Sequence, residues 1–370
     1  MHRCLELAQL GAGYVAPNPM VGAVLVHEGR IIGEGWHKEY GKAHAEVNCI
    51  NAVQEEDRQF ISQSILYVSL EPCAHYGKTP PCADLIIHYN IPRVVIGCRD
   101  PFKEVDGKGI EKLKAAGIEV ETALLEQECR ELNKRFFTFH TKQRPYIILK
   151  WAQTSDGYMA PLIPLQGKTL EQVNKKISSF INDTKAPPAE GFGEARLFIS
   201  NEYSNILVHQ WRSEEAAIMV GTNTALHDDP ALTTRLWPGP SPVRLVIDLN
   251  LRLPVSLKVF DGSERTIVFN TIKEDEKPNL SFIKLDKEKQ FVPQLMDVLY
   301  RLPFQSVLVE GGAALLQTFI ESGVWDEARV IVNGELSIGN GLPAPVLKNE
   351  QLVMEEKIST DTISYFRNSK

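Results

Sequence analysis

The chain has 370 residues, 43% of them hydrophobic and 24% charged, with a formal net charge of −7. That length suits two domains of an ordinary globular protein, and an acidic balance weighs against nucleic acid as a partner. No run of about 18 apolar residues is present to span a membrane, and six cysteines are too few for a disulfide scaffold in a chain this long.

Taken in order, Met1 to Ala8 lacks the apolar core of a secretory signal, so a cytoplasmic location is expected; Leu5 to Ala8 instead has helical spacing. Pro17-Asn18-Pro19 turns the chain into a largely buried strand ending at Val26. His27 to Arg30 then reads as the turn of a hairpin whose second strand is Ile31 to His37. A helix is expected from Ala43 to Val53, a strand from Ser64 to Leu70, a helix from Cys82 to His88 and a strand from Arg93 to Cys98. Gly109 to Ala116 and Ile118 to Thr122 supply one more helix and strand. Strands alternating with helices imply an α/β sheet layered by helices.

After a helical stretch from Leu125 to Phe137, the polar run Thr141 to Arg144 and Pro145 mark a domain boundary, giving domains 1–143 and 144–370. The second half has its own strands at Tyr146 to Trp151, Ala217 to Gly221, Val243 to Asp248, Thr266 to Asn270 and Ser306 to Glu310. It is therefore a separate α/β domain. The prolines and glycines of 161–196 read as an insertion, with a short helix near Leu170 to Ile181.

The chemistry concentrates in His44-Ala45-Glu46, Pro72-Cys73 and Cys82. One imidazole and two thiolates form a three-ligand set for zinc that leaves a fourth position for water. Glu46 is not needed as a ligand and is free to move protons. This is the shape of the zinc deaminase signature, H-x-E followed by P-C-x-x-C. It departs in one place, since eight residues, Ala74 to Pro81, separate the cysteines. The inserted loop carries His75 and Lys78 on a segment tethered at both ends to the metal. Cations there suit an anionic substrate, most simply a phosphate; the plainer reading is a solvated loop.

Asn18-Pro19-Met20-Val21-Gly22, His44 to Asn48, the run Glu71 to Cys82 and Val309-Glu310-Gly311-Gly312 together resemble the bifunctional riboflavin-biosynthesis pyrimidine deaminase/reductases, over essentially the whole chain. The resemblance implies an N-terminal cytidine-deaminase-like α/β/α sandwich holding one Zn2+. The C-terminal α/β domain should be similar to dihydrofolate reductases and use NADPH. The first domain would deaminate 2,5-diamino-6-(5-phosphoribosylamino)pyrimidin-4-one, and the second would reduce the ribosyl group of the product to ribityl. His44, Cys73 and Cys82 would be zinc ligands and Glu46 the catalytic proton shuttle. Asn18, His37, His75 and Lys78 would line the deaminase substrate site. Gln153, Phe198, Thr224, Asp228, Gly311 and Gly312 would meet the cofactor, and Lys150, Arg212, Leu232, Arg235 and Glu310 the reductase substrate. A phosphorylated pyrimidine is thus the expected small-molecule partner, and a homo-oligomer the expected assembly.

Other residues take plainer readings. His88, His140 and His209 suit satisfied surface or core positions, and Cys49, Cys98 and Cys129 behave as small hydrophobes. Two competing functions share the zinc donors. A nucleic-acid-editing deaminase should show a basic, aromatic surface, which this acidic chain lacks. A purely structural zinc site should have a fourth protein ligand and no use for Glu46.

Overall fold

A computed structural model describes residues 1–76, 80–161 and 199–370. The expected insertion 161–196, apart from Pro161, lies outside the described residues, as do Lys78 and Phe198. Among the described residues, no helix is long and apolar enough to cross a membrane.

The first half is built on five strands: β1 (Gly22–His27), β2 (Arg30–Trp36), β3 (Ile65–Leu70), β4 (Arg93–Cys98) and β5 (Glu119–Glu121), in the order β2-β1-β3-β4-β5. β1 runs antiparallel to β2 and β3, while β3, β4 and β5 are parallel. The hairpin closes through Glu28 and Gly29, both at positive φ (47° and 81°), a turn whose twist matches that of the strands. Helix Ala45–Asn51 crosses β2 so closely that a Cβ on Gly35 would stand 2.3 Å from the Cys49 nitrogen. Glycine at position 35 is what lets this helix, and His44 at its N-terminus, sit against the sheet. Leu25, Ile50, Leu66, Val68, Ile86, Ile96 and Leu113 fill the core.

Helix Cys82–His88 has the expected bounds, but the stretch expected to be helical from Leu125 is two helices, Glu126–Leu132 and Lys134–Lys142. The break falls at Asn133. Its side chain accepts from the Met20 N–H (2.8 Å) and donates to the Met20 carbonyl (2.8 Å), tying the helix junction to the segment before β1. The second helix carries the chain to Lys142, so the link to the next strand is shorter than its polar composition suggests.

Among the described residues the second half has twelve strands: β6 (Tyr146–Thr154), β7 (Tyr158–Pro161), β8 (Ala217–Gly221), β9 (Val243–Ile247), β10 (Thr266–Asn270), β11 (Asp275–Lys277), β12 (Leu280–Lys284), β13 (Ser306–Val309), β14 (Glu327–Asn333), β15 (Gly341–Pro343), β16 (Glu350–Ile358) and β17 (Asp361–Asn368). Ten of them make one sheet, β11-β12-β10-β9-β8-β13-β6-β14-β17-β16, and β7 pairs with β15. From β12 to β14 the neighbours are parallel. Strands covered on both faces read as continuous apolar runs, which is why Tyr146 to Leu149 was legible. The antiparallel strands β16 and β17 were not: β16 is mostly exposed and mixes Glu350, Glu355, Glu356 and Lys357 with Leu352, Val353 and Met354.

The halves meet through charged and aromatic contacts. Arg135 makes a two-pronged ion pair with the buried Glu215, Lys134 reaches Glu327 at 2.7 Å, and the Phe139 and Tyr300 rings lie 4.7 Å apart. Gln305 of the second half donates to the Pro17 carbonyl of the first at 2.6 Å.

Candidate functional site

β3 ends at Leu70 and delivers Glu71, Pro72 and Cys73 to the C-terminal edge of the parallel strands, where α/β sheets form their crevices. His44 caps helix Ala45–Asn51 and Cys82 opens helix Cys82–His88, so three elements converge there. His44 Nδ1 lies 3.4 Å from Cys82 Sγ and 3.7 Å from Cys73 Sγ, and all three donors fall within 4.8 Å of one another. Tetrahedral zinc with ordinary Zn–N and Zn–S bonds separates such donors by about 3.6 Å, so the set fits zinc without rearrangement. Among the described residues the group has three members, which suits a catalytic rather than a four-ligand structural site.

Electrostatics agree with that fit. Cys73 Sγ accepts the Cys82 amide N–H at 3.3 Å, and with the Cys82 thiol also donating to it, its pKa is pulled down while that of Cys82 is pushed up. The pair therefore offers one thiolate before any metal arrives. Glu46 is 3% exposed, and burial, followed by the charge on Cys73, pushes its carboxyl above the ordinary range. A buried carboxyl beside the metal donors is placed where a proton shuttle is needed.

These groups sit in a cavity of about 350 Å³ lined also by Asn18, His37, Lys42, His75, Asp100, Phe102, Phe136, His140 and Gln305. Asn18 and His37 are joined: Asn18 Nδ2 stands 3.1 Å from His37 Nε2, and His37 Nδ1 stands 3.1 Å from the Ala43 carbonyl. Burial lowers the pKa of His37, so its neutral ring donates from Nδ1 and accepts at Nε2. The structure thus brings Asn18, His37, His44, Glu46, Cys73 and His75 to one cavity with Cys82 at its metal end.

Several lining residues were invisible in the sequence. Glu71 accepts four backbone N–H groups, from Asp100, Gly107, Gly109 and Ile110, and so fixes the cavity wall. Gln305 comes from the other half of the chain. His140, given a plain surface or core reading, faces the cavity between the Phe102 and Phe136 rings (5.0 and 4.4 Å). No spacing signal announces a wall assembled from such distant segments.

The second cluster lies on one face of the ten-stranded sheet. Glu310, just past β13, takes two hydrogen bonds from Arg212 (2.7 Å each), and Lys150 of β6 stands 3.9 Å away. Burial works to raise the Glu310 pKa, yet Arg212 and then Lys150 hold it down at about 2. The Lys150 pKa is lowered as well, burial taking away more than Glu310 restores. Arg212 also donates to the Thr233 carbonyl (3.3 Å), and the Arg235 N–H donates to His209 Nδ1 (3.0 Å). Leu232, at φ 56°, is buried beside them. His209 is a satisfied core histidine, as its plain reading had it, and burial followed by Arg212 and Arg235 lowers its pKa to about 4.

Gly311 and Gly312 join β13 to helix Ala313–Ser322. A Cβ on Gly311 would press within 2.8 Å of Val220, and one on Gly312, at φ 63°, would stand 3.1 Å from the Thr224 hydroxyl. Thr224 and Asp228 share helix Thr222–Asp228, so the glycine turn and this helix flank one helix N-terminus suited to an anion. Gln153 is set apart: it accepts from the Trp151 indole N–H at 2.7 Å, on the face of β6 opposite Lys150.

Two family models match the chain: the cytidine and deoxycytidylate deaminase zinc-binding region over residues 1–98, and the RibD C-terminal domain over 145–353. The riboflavin biosynthesis protein RibD of Aquifex aeolicus is 39% identical over 351 residues, covering 92% of this chain and 88% of that one. Its Escherichia coli counterpart is 31% identical, covering 91% and 87%. The crystal structure of a diaminohydroxyphosphoribosylaminopyrimidine deaminase/5-amino-6-(5-phosphoribosylamino)uracil reductase from Thermotoga maritima superposes with a TM-score of 0.82 at 34% identity, covering 100% of this chain and 97% of that one. Zinc donors at one sheet edge, a charged cluster on the other sheet and these likenesses lead to one conclusion: the chain belongs to the RibD family, the bifunctional deaminase–reductases of riboflavin biosynthesis.

Proposed function

We propose that residues 1–143 deaminate 2,5-diamino-6-(5-phosphoribosylamino)pyrimidin-4-one on zinc, and that residues 144–370 reduce the resulting aminouracil's ribosyl group with NADPH. The observation that carries the first half is the convergence of His44, Cys73 and Cys82 beside the buried Glu46 in one cavity. Zinc held by these three residues supplies the Lewis acid that lets water act as a nucleophile at neutral pH. Glu46 takes a proton from the attacking water and delivers it to the ring nitrogen. It then carries the second proton to the exocyclic amine, the C–N bond breaks and ammonia leaves. Asn18, His37 and His75 orient the ring. Lys78, on the loop between the cysteines, is assigned to the phosphate.

In the second half, bound NADPH would supply a hydride to C1 of the open imine form of the ribosylamine, and the imine nitrogen would take a proton from water as its double bond becomes single. Lys150, Arg212 and Glu310 form a rigid charged floor, which with Leu232 and Arg235 positions the substrate. Thr224, Asp228, Gly311 and Gly312 hold the cofactor from the glycine turn, with Phe198 and Gln153 as further cofactor contacts. Orientation is the main service asked of them. Incubating the purified chain and zinc with the phosphorylated diaminopyrimidine tests both steps by product mass. Deamination is expected without NADPH, and reduction only with it; reduction preceding deamination would contradict the order.

A cytoplasmic homo-oligomer completes the reading. Self-association is supported by β16, a long strand at the free edge of the sheet that exposes Leu352, Val353 and Met354. Sedimentation as a monomer at micromolar concentration would remove that part.

A further inference from the structure

Three carboxylates line the deaminase cavity, Glu46, Glu71 and Asp100, and among the described lining residues Lys42 is the sole lysine or arginine. A phosphate dianion is drawn into an acid-lined cavity of this kind more readily where a cation stands at its entrance. Two of the lining histidines do not meet that need. His37 has both ring nitrogens engaged, and His44 aims Nδ1 at the two sulfurs. Neighbouring Lys38 is occupied over the Trp36 ring at 4.7 Å.

Lys42 differs from all of these. It is exposed on the segment between β2 and helix Ala45–Asn51, and among the described residues its ammonium forms no ion pair or hydrogen bond. Its backbone is fixed by an N–H bond to the Glu39 carbonyl (3.1 Å). Two residues before His44, its Cα stands at most about 7 Å from that of the zinc donor. Lys42 lines the same cavity as His44, Glu46 and Cys73, so an anionic group on a ring bound beside those donors would come within the sweep of its long side chain.

We propose that Lys42 receives the substrate's phosphate at the rim of the deaminase cavity and thereby selects phosphorylated over dephosphorylated pyrimidines. The proposal rests on the deaminase reading above and adds to it a positioning residue on a different segment from the loop between the cysteines. The lysine acts as a point charge that a serine-like donor could not replace.

The test is steady-state ammonia release by the zinc-loaded full chain, from the phosphorylated diaminopyrimidine ribosylamine and from its dephosphorylated counterpart. Lys42→Ala should raise KM for the phosphorylated substrate about tenfold, between the effects of an exposed and a desolvated charge pair, and leave kcat within about twofold. The dephosphorylated substrate should be indifferent. Lys42→Arg should restore most of the loss and Lys42→Glu should deepen it, with zinc content unchanged in all three. An equal effect on both substrates, or an unchanged KM for the phosphorylated one, overturns the role of Lys42 while leaving the deaminase reading intact. No ammonia from either substrate with the wild-type chain overturns the deaminase reading itself, and this proposal with it.

Discussion

In the N-terminal half, the three metal donors and the shuttle carboxylate come from two short stretches, 44–46 and 73–82. In the C-terminal half, Lys150, Arg212, Arg235 and Glu310 arrive from four elements of one large sheet and its helices. The first site is held by metal-donor chemistry that few other arrangements satisfy, and the second by ion pairs of residue types that abound on any surface. They differ too in how they keep buried charge. Glu310 lies between two cations, whereas Glu46 and Asp100 lie among apolar and acidic neighbours. A cluster built to keep a carboxylate ionised organises a polar substrate; a cavity that leaves its carboxylates ready to take protons can move them.

Glu46→Gln should have the largest effect. It removes the proton carrier and no ligand, so zinc should remain at one per chain while deamination falls about 10²- to 10⁴-fold. Reduction of the pre-deaminated substrate should be unchanged. Deamination near the wild-type rate would end the assignment of Glu46, and parallel loss of both activities would mean that the two halves are not separable in the way the comparison holds.

Glu310→Gln probes the other side. Arg212 and Lys150 would be left buried without their counter-charge, and breaking such a pair from one side costs about 3–5 kcal/mol. Because the Glu310 pKa is lowered to about 2, its stabilisation is present above the unfolded carboxylate pKa and is lost only as pH falls through about 2. The deficit of the variant, read from denaturant melts, should therefore be the same at pH 5 and pH 7, where Glu310 stays ionised. A loss of less than 1 kcal/mol would show that the cluster is a loose surface network.

The contrast also explains what could be read before the structure. His44, Cys73, Cys82 and the helix bounds Cys82–His88 were legible because ligand type, spacing and capping position are local properties of the chain. The parallel strands were legible because burial on both faces leaves continuous apolar runs. β16 and β17 escaped because β16 is mostly exposed and its pattern is blurred by glutamates and a bulge between Leu352 and Met354. The split at Asn133 escaped because its cause, two bonds to Met20, lies more than a hundred residues away in sequence. Gln305 and His140 in the cavity wall are cases of the same kind, and Lys42 carried no motif at all. The charged cluster around Glu310 came only through resemblance; nothing in the spacing of Lys150, Arg212 and Glu310 brings them together.

Asp100→Asn should have the smallest effect and the opposite sign, which sharpens the comparison of the two carboxylate environments. Burial, opposed by the Phe102 N–H bond and then aided by the charge on Glu71, raises the Asp100 pKa from 3.8 to about 7. A group whose folded pKa is raised contributes stability that is full below its unfolded pKa and is lost as pH rises through the folded value. For Asp100 that window runs from about 4 to about 7, with an upper limit of about 4 kcal/mol that local solvent relaxation reduces. Asparagine keeps the acceptor for the Phe102 N–H (2.7 Å) but never ionises. The variant should therefore match the wild-type chain below about pH 4 and exceed it in stability at pH 8, the difference growing through the window. Melts that stay parallel between pH 5 and pH 8 would mean that Asp100 is ionised in the folded chain at no cost. The cavity would then already hold a compensating cation, and the charge contrast between the two sites would not stand.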